Sequence, residues 1–523
     1  MPLWRTLFRH FFTGLDANVT QTLGLLAAPG AFFVLLFQPC SFQGWDLVGV
    51  RYLFLSLSMV LMGVVVVVKW DALFPDKTDF LVLTPLPVRL PAIFLAKAAA
   101  LAVLMAVFLG DANFFATLLW AGIDRGSGTL SMFATHIVLT AAAGLFAALA
   151  LMTLAGLLNA VFSGRTRRRI AVLAQSVSMA VLVMLFFLSP LLGMSLQRLA
   201  EHHSPLLYWF PGYWFAGLYE RMRPATGDAV LLDLGRLGLR GLAWVAALFA
   251  LVNLAGYRRH ARRILEAPEI HPSGVARRKL GAAADRILLR NPVERAVFHF
   301  IGHTIVRSPR HRLFLAVYAG FGAALAVMSY GSDSSGLLRP PLTLSFVLVS
   351  GLRAAFNFPC ELRANWVFRI SESKWTKDCA AGARKWVLAC GIVPLFLLFA
   401  PVEFLCFRWT AAIFHLAFGM VLSIGLAEAL FVGFRKVPFT CSYLAGKVNL
   451  VGLSVVYCLG FTAYSRTMAG FEQWLAPRPL SALAFFAVAV LGWAMLNHWR
   501  GDGSVVEFED SGMPAVQVLG IGA

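Results

Sequence analysis

Few residues in this 523-residue sequence could do chemistry inside its long apolar stretches. The ionisable residues within them are His136, Arg353 and Glu428, with Asp111 and Glu403 nearer the ends of their stretches. An ionisable side chain in such a segment is costly to bury and usually marks a pathway or a paired site. Arg353 and Glu428 have opposite charges and could form such a pair, or each could make a hydrogen bond between helices.

Two other groups of polar residues could hold a cation. His299 and His303 lie four residues apart, and Asp71, Asp76 and Asp79 are the closest set of carboxylates. A zinc site needs at least a third ligand, and none is evident near the two histidines. We expect no metal at the histidines. We interpret the aspartates as the polar residues of a turn, with a cation site there as the alternative.

Several catalytic classes are disfavoured by what the sequence lacks. No G-x-x-x-x-G-K-[ST] motif occurs, so the sequence contains no P-loop for ATP. The seven cysteines form no C-x-x-C pair, which argues against a disulfide framework or a structural zinc. A lipid-modifying enzyme would need carboxylates or histidines clustered on one face. We predict that the chain is not itself an enzyme and holds no cofactor of its own.

The composition indicates the environment of the chain. Hydrophobic residues make up 59% of it and charged residues only 14%, and the mean hydropathy is +0.74. A soluble domain carries charge on about a quarter of its residues. A soluble fold of this composition would expose too much apolar surface, and a disordered chain would be far more polar. The sequence therefore predicts a polytopic, all-α integral membrane protein.

Twelve apolar segments are long enough to cross a bilayer as helices, which takes about 20 residues each. They form two groups of six, separated by a long basic connector. The first group is predicted at 22–39, 52–69, 92–118, 131–162, 170–195 and 237–257. The second group is predicted at 312–331, 341–358, 386–407, 410–434, 449–465 and 480–498.

Each half is expected to begin with an amphipathic helix in the membrane interface. Trp4, Phe8 and Phe11 recur at helical spacing near the N-terminus, with charged residues between them. The sequence Asn291-Pro292-Val293-Glu294 predicts a second helix start, with Asn as N-cap, Pro at the first position and Glu completing a capping box. An aromatic run at 206–215, between the fifth and sixth segments, predicts a short helix in the outer interface.

The predicted organisation therefore has four parts. Residues 1–257 form the first six-span half with its interfacial helix, and 258–311 form a basic cytoplasmic connector containing the second interfacial helix. Residues 312–498 form the second six-span half, and 499–523 form a cytoplasmic tail.

The net charge of +19 is distributed mainly on one side of the predicted membrane. Most of the 45 lysines and arginines fall in the N-terminal arm, the connector and alternate loops. The positive-inside rule places these loops, and both termini, in the cytoplasm. Such basicity sets topology and attracts anionic membrane lipids, and we expect no nucleic-acid partner.

The most specific segment joins the second and third predicted spans. It runs Pro85-Leu86-Pro87-Val88-Arg89-Leu90-Pro91-Ala92-Ile93 and continues to Lys97. Its prolines stop one helix from continuing into the next and stiffen the turn. The segment resembles the coupling element of ABC transporter permeases of the type 2 exporter class. The matching residues are Leu86, Pro87, Val88, Arg89, Ile93 and Lys97.

A looser counterpart follows the second span of the second half. It contains Arg369 and Glu372, followed by Gly382-Ala383-Arg384-Lys385, and lacks the Leu-Pro pair. The resemblance implies that both segments contact an ATPase, with a less certain role for the second.

The resemblance implies a permease, with two halves in one chain, that exports a substrate from the cytoplasm of a bacterium. Two copies of a separate ABC ATPase subunit would bind ATP and Mg²⁺, and the chain would be a multi-pass protein of the inner (plasma) membrane. The sparse polarity of the spans favours an amphipathic or lipid-like substrate. An ion-coupled twelve-span carrier is the alternative, although the loop between the second and third predicted spans lacks the Gly-x-x-x-Asp-Arg-x-Gly-Arg motif common in major-facilitator carriers. An integral-membrane lipid-modifying enzyme is less favoured.

Overall fold

The computed structural model describes most of the chain as helices joined by turns. The described residues are 2–15, 46–74, 77–83, 85–123, 129–222, 229–266, 289, 291–330, 336–365, 376–432, 434, 436–441 and 450–499. Within these ranges the regular structure is helical, which confirms the predicted all-α class. The chain divides into two compact units, Met1–Ile270 and His271–Ala523.

Nine α-helices are described in the first unit, together with a short 3-10 turn at Trp70–Ala72. In chain order they are α1 (Pro2–Leu15), α2 (Leu47–Val68), α3 (Lys77–Leu83), α4 (Leu90–Ile123), α5 (Thr129–Val161), α6 (Gly164–Glu201), α7 (Leu206–Trp209), α8 (Pro211–Arg221) and α9 (Ala229–Glu266).

Helix α2 is the centre of the first unit. The most apolar stretch of this helix is 89% buried, and the helix packs against α4, α5, α6 and α8. Ser58 Oγ donates to the Thr140 carbonyl of α5 at 2.7 Å, and Gln175 Nε2 of α6 donates to the Val67 carbonyl at 2.9 Å. Lipid offers no hydrogen-bond partners, so these bonds satisfy polar groups that would otherwise be unpaired. They also hold three helices together.

The aromatic run that we expected in the outer interface is divided between α7, where Tyr208 and Trp209 are exposed, and α8, which is packed inside the unit. Tyr213, Phe215 and Tyr219 are buried, and the helix contacts α2, α5 and α9. The Tyr213 hydroxyl donates to the Leu192 carbonyl at 3.0 Å, and burial raises the pKa of this tyrosine. The aromatic residues therefore fill a core between helices, because several apolar surfaces are available there.

Glycines allow α8 and α9 to approach backbone to backbone. A Cβ placed on Gly217 would lie 2.3 Å from the Leu231 carbonyl oxygen, and one on Gly235 would lie 2.7 Å from the Gly217 carbonyl oxygen. Gly238 is similarly close to the Trp214 carbonyl, at 2.9 Å. Small residues on facing helices permit this close packing within membranes.

Eight α-helices are described in the second unit, with a 3-10 turn at Leu362–Asn365 and a π-helical turn at Leu388–Ile392. They are α10 (Pro292–Arg307), α11 (Pro309–Ser329), α12 (Arg339–Ala355), α13 (Thr376–Val387), α14 (Val393–Cys406), α15 (Trp409–Leu430), α16 (Leu450–Leu475) and α17 (Pro479–Trp499). The π-helical turn joins α13 to α14 as one continuous apolar helix.

Helix α12 is the centre of the second unit. It packs against α11, α15 and α16, and most of its residues are buried. It has 17 residues, so it is shorter than the other helices that match predicted spans. Its large buried fraction parallels that of α2, which holds the same place in the predicted order of spans.

The helices agree with the predicted spans wherever the chain is described. Nine helices in the described residues are long and apolar enough to cross a membrane. Helices α12 and α16 lie at two further predicted segments, 341–358 and 449–465. The segment 22–39 lies outside the described residues, as do residues 267–288 of the connector and residues 500–523 of the tail. The chain is thus an apolar, multi-helix membrane protein.

The start of α10 differs in one respect from its sequence prediction. Asn291 is the N-cap, its side chain accepting from the Val293 amide at 3.0 Å, and Pro292 occupies the first turn. The carboxylate of Glu294 forms an ion pair with Lys385 of α13. Glu294, which we expected to complete the capping box, is thus paired with a lysine on another helix.

We predict that Gly235→Ala destabilises the first unit, since the added methyl group would collide with the backbone of α8. Overpacking of this kind costs about 1–3 kcal/mol. The melting temperature of the purified protein in detergent should fall accordingly. Gly110→Ala in α4 is the matched control, because a Cβ there meets nothing within 4 Å. Equal melting temperatures for the two variants would contradict the close packing of α8 on α9.

Candidate coupling turn and buried polar clusters

Helix α1 packs on α4 beside the proline turn. Leu7 and Phe11 are the buried residues of α1 at this contact, and the Lys97 ammonium of α4 lies 4.9 Å from the Phe11 ring centroid. Lys97 Nζ is 3.8 Å from Asp79 Oδ2, and His10 Nε2 is 3.6 Å from Asp79 Oδ1. One carboxylate of α3 therefore joins charged groups of α1 and α4.

The residues predicted to form the coupling element divide into two sets. Leu86, Pro87 and Arg89 are exposed, and Val88 is half-buried. Ile93 and Lys97 are buried, and they attach the start of α4 to the bundle.

The turn itself presents a mixed apolar and basic surface. It is closed by backbone bonds from the Leu86 amide to the Leu83 carbonyl and from the Val88 amide to the Leu86 carbonyl. Leu81 and Val82, on the preceding helix, are more than half exposed. The end of the turn thus presents a short exposed surface of Leu86, Pro87 and Arg89.

The second unit repeats this arrangement with different residues. Helix α10 packs on α13, and Lys385 of α13 pairs with Glu294 of α10. Gly382 allows the close approach, since a Cβ there would lie 2.8 Å from the Glu294 carbonyl oxygen. Lys385 therefore has the place in the second unit that Lys97 has in the first. Arg369 and Glu372, which we assigned to the second coupling segment, lie outside the described residues.

Arg353 and Glu428 contact several groups in the second unit. Arg353 Nε donates to the Leu430 carbonyl at 3.1 Å, and its guanidinium lies 4.5 Å from the Phe434 ring centroid. Glu428 accepts from Trp493 Nε1 at 3.3 Å and lies 3.6 Å from Arg384 Nε. These contacts link neighbouring helices, as in the alternative that Arg353 and Glu428 each make a hydrogen bond between helices.

His136 belongs to a buried polar cluster at the end of the first unit where α8 lies. Its ring lies edge-on to Phe54 of α2 and Tyr219 of α8, with centroid distances of 5.6 and 6.0 Å. Arg51 of α2 is 1% exposed and pairs with Glu220 of α8, and its guanidinium is 4.8 Å from the Tyr219 ring centroid. Arg51 precedes the predicted segment 52–69 by one residue, but α2 begins at Leu47, so Arg51 lies within the helix, where Glu220 supplies the opposite charge.

A second buried cluster joins three helices of the second unit. His415 Nδ1 of α15 is 2.8 Å from both carboxylate oxygens of Glu472 of α16. His415 Nε2 is 3.6 Å from Glu403 Oε1 of α14. The three side chains are between 1% and 4% exposed. We call His415, Glu403 and Glu472 the histidine triad.

Of this triad, only Glu403 was among the ionisable residues predicted within apolar segments. Glu472 lies beyond the predicted segment 449–465, because α16 continues to Leu475. His415 follows the start of its helix by about as many residues as His136 does in the first unit. Comparing the fourth span of the two halves, residue by residue, would have indicated His415.

Among the described residues, no group of three or more His, Cys, Asp or Glu is arranged to hold a metal ion. Comparisons with protein-family models, with curated proteins and with solved structures find no match for this chain.

We predict that Arg51→Met strongly destabilises the first unit, because it leaves the Glu220 carboxylate without its buried partner. Breaking a buried ion pair from one side costs about 3–5 kcal/mol. The double variant Arg51→Met with Glu220→Gln should recover much of this loss, since no charge is then unpaired. Thermal unfolding in detergent measures both. A double variant no more stable than Arg51→Met would contradict the pairing.

Proposed function

We propose that this chain is the membrane-spanning permease of an ATP-driven ABC exporter. The observation that carries the proposal is the rigid proline turn, whose apolar and basic end projects from the bundle while Lys97 and Asp79 fasten its base. Together with the resemblance of this segment to the coupling element of type 2 exporter permeases, that arrangement favours a contact with an ATPase.

A separate motor needs a stiff contact to move a transmembrane helix. The proline turn leads without a break into α4, a helix of 34 residues. A push on Leu86 or Arg89 would therefore be carried along α4, and α1 would move with it through the Lys97 contacts. A flexible loop at this point would absorb the same motion.

The second unit supports the proposal through its corresponding contact. The Lys385–Glu294 pair fastens α10 to α13 as Lys97 fastens α1 to α4. Two such attachments in one chain suit two ATPase subunits, each binding ATP and Mg²⁺. In this proposal the turn and both termini face the cytoplasm of a bacterial cell, and the substrate is amphipathic or lipid-like.

Photocrosslinking tests the proposed contact. A photoreactive amino acid is placed at position 86 of the full chain, and the cells that make it are irradiated. We expect a crosslinked product whose second component mass spectrometry identifies as a P-loop ATPase. Position 206, exposed on α7, is the matched control and should give no such product. Absence of a P-loop ATPase from the position 86 product would contradict the proposal.

Transmission is tested by the double variant Arg89→Glu with Pro87→Ala. Both side chains are exposed, so the melting temperature should stay within about 1 °C of wild type, as is usual for surface substitutions. The ATPase identified by crosslinking is reconstituted with the permease. The double variant should no longer stimulate ATP hydrolysis by this ATPase. Arg198→Glu, an exposed charge reversal at the end of α6, is the control and should retain it. Full stimulation by the double variant would contradict coupling through the turn.

An ion-coupled carrier is the second candidate function, and the buried histidine triad is the observation that favours it. Proton relays in transporters use buried carboxylates and histidines of this kind. Proteoliposomes containing the chain alone distinguish the two. An exporter without its ATPase should carry no proton current across the membrane when a pH gradient is imposed, whereas a proton-coupled carrier should respond to the gradient in the presence of its substrate.

A further inference from the structure

We propose that the histidine triad is a proton-binding site, holding one exchangeable proton on Glu403 in addition to the protons of the His415 ring. The proposal goes beyond the exporter function and does not depend on which energy source drives transport.

The geometry leaves Glu403 with the weakest contacts of the three. Both carboxylate oxygens of Glu472 lie within hydrogen-bond distance of His415 Nδ1. Glu403 faces the other ring nitrogen at 3.6 Å, too long for a hydrogen bond. Both carboxylate oxygens of Glu403 are buried and make no hydrogen bond within the described structure. A carboxylate so placed has lost water and gained no donor in return.

Charge balance gives the number of protons. Even if His415 is an imidazolium, the two carboxylates leave the triad with a net charge of −1 in a buried site. One further proton, transferred from hydronium to a Glu403 oxygen, converts the carboxylate to a carboxylic acid and makes the triad neutral. Two ionised carboxylates on one buried histidine ring would also repel each other.

The remaining charged groups near this end have different positions. Arg339 begins α12, which packs against α15 and α16, and is itself buried. Arg408 and Arg466 are exposed, and Arg478 lies over the Trp474 ring. The charged residues of α13 lie about 25 Å or more along the continuous helix from Glu403, at 1.5 Å per residue. Arg339 is therefore the competing source of positive charge for an ionised Glu403.

The first unit provides a comparison within the same chain. Its cluster has His136 in the corresponding helix, but there the acid, Glu220, pairs with the guanidinium of Arg51. That pair is neutral without an added proton. The difference between the clusters predicts proton binding at the triad and none at Glu220.

The triad also links three helix ends, so its proton should depend on their separation. Glu403 lies near the end of α14, His415 near the start of α15 and Glu472 near the end of α16. Water entering between these ends would solvate the Glu403 carboxylate and favour release of the proton. Opening of the unit at this end would thus release a proton to the solution on that side.

Infrared difference spectroscopy of the full-length protein in lipid nanodiscs tests the proposal directly. At about pH 7 the wild-type spectrum minus that of Glu403→Gln should contain the C=O band of a protonated carboxylic acid, shifted in D₂O. Glu361→Gln, an exposed glutamate of the same unit, is the control and should give only carboxylate bands. A carboxylate-only spectrum for Glu403 would overturn the proposal, and it is the result expected if Arg339 balances the triad.

Thermal unfolding provides a second measurement on the same proteins. A proton held only in the folded state stabilises it at low pH, and that stability is lost as the pH rises and the proton is released. The melting temperature of the wild type should therefore fall from about pH 4, where glutamate titrates in the unfolded chain, up to the pH at which the acid band disappears, and by more than that of Glu403→Gln, which cannot ionise. Parallel pH profiles would contradict the proposal. If Glu403→Gln does not fold, the acid band of the wild-type protein is followed as a function of pH. Absence of this band at neutral pH would overturn the proposal.

Discussion

A buried charge in a membrane must be compensated by an opposite charge or by hydrogen bonds, and the architecture of this chain depends on that requirement. Several of these contacts, such as Arg51 with Glu220, join helices that are distant in sequence, and these pairs also determine which helices are neighbours. The pairs are Arg51 with Glu220, Lys97 with Asp79, Lys385 with Glu294, and Arg384 with Glu428, together with the histidine triad. Apolar packing supplies the bulk of each unit, and these contacts select its arrangement.

The two units use one plan with different chemistry. In each, an amphipathic helix (α1 or α10) is fastened by a lysine of α4 or α13, and a histidine of α5 or α15 lies in a buried polar cluster. The first unit has the exposed Leu-Pro turn and a cluster that is neutral as an ion pair. The second has a cluster rich in carboxylates. Duplication followed by divergence would give such a pair.

The sequence predicted the helices well and their contacts poorly. Apolar length alone identified the long described helices, and Asn291 with Pro292 located the start of α10. The burial of α8 was missed, because aromatic residues suit both an interface and a core, and only the facing glycines distinguish the two. Glu472 was missed because the helix continues beyond its apolar part. Partners such as Glu220 depend on tertiary packing, which the spacing of residues along one helix does not contain.

The shortness of α12 has a consequence for the surrounding lipid. A helix of 17 residues rises about 26 Å, less than the roughly 30 Å of a typical hydrocarbon core. In contact with lipid it would force the bilayer to thin, at a cost that grows with the mismatch. Because α11, α15 and α16 surround it, most of its surface meets protein instead. The second unit can therefore keep a short central helix in membranes of different thickness, and the longer helices around it bear the adjustment by tilting.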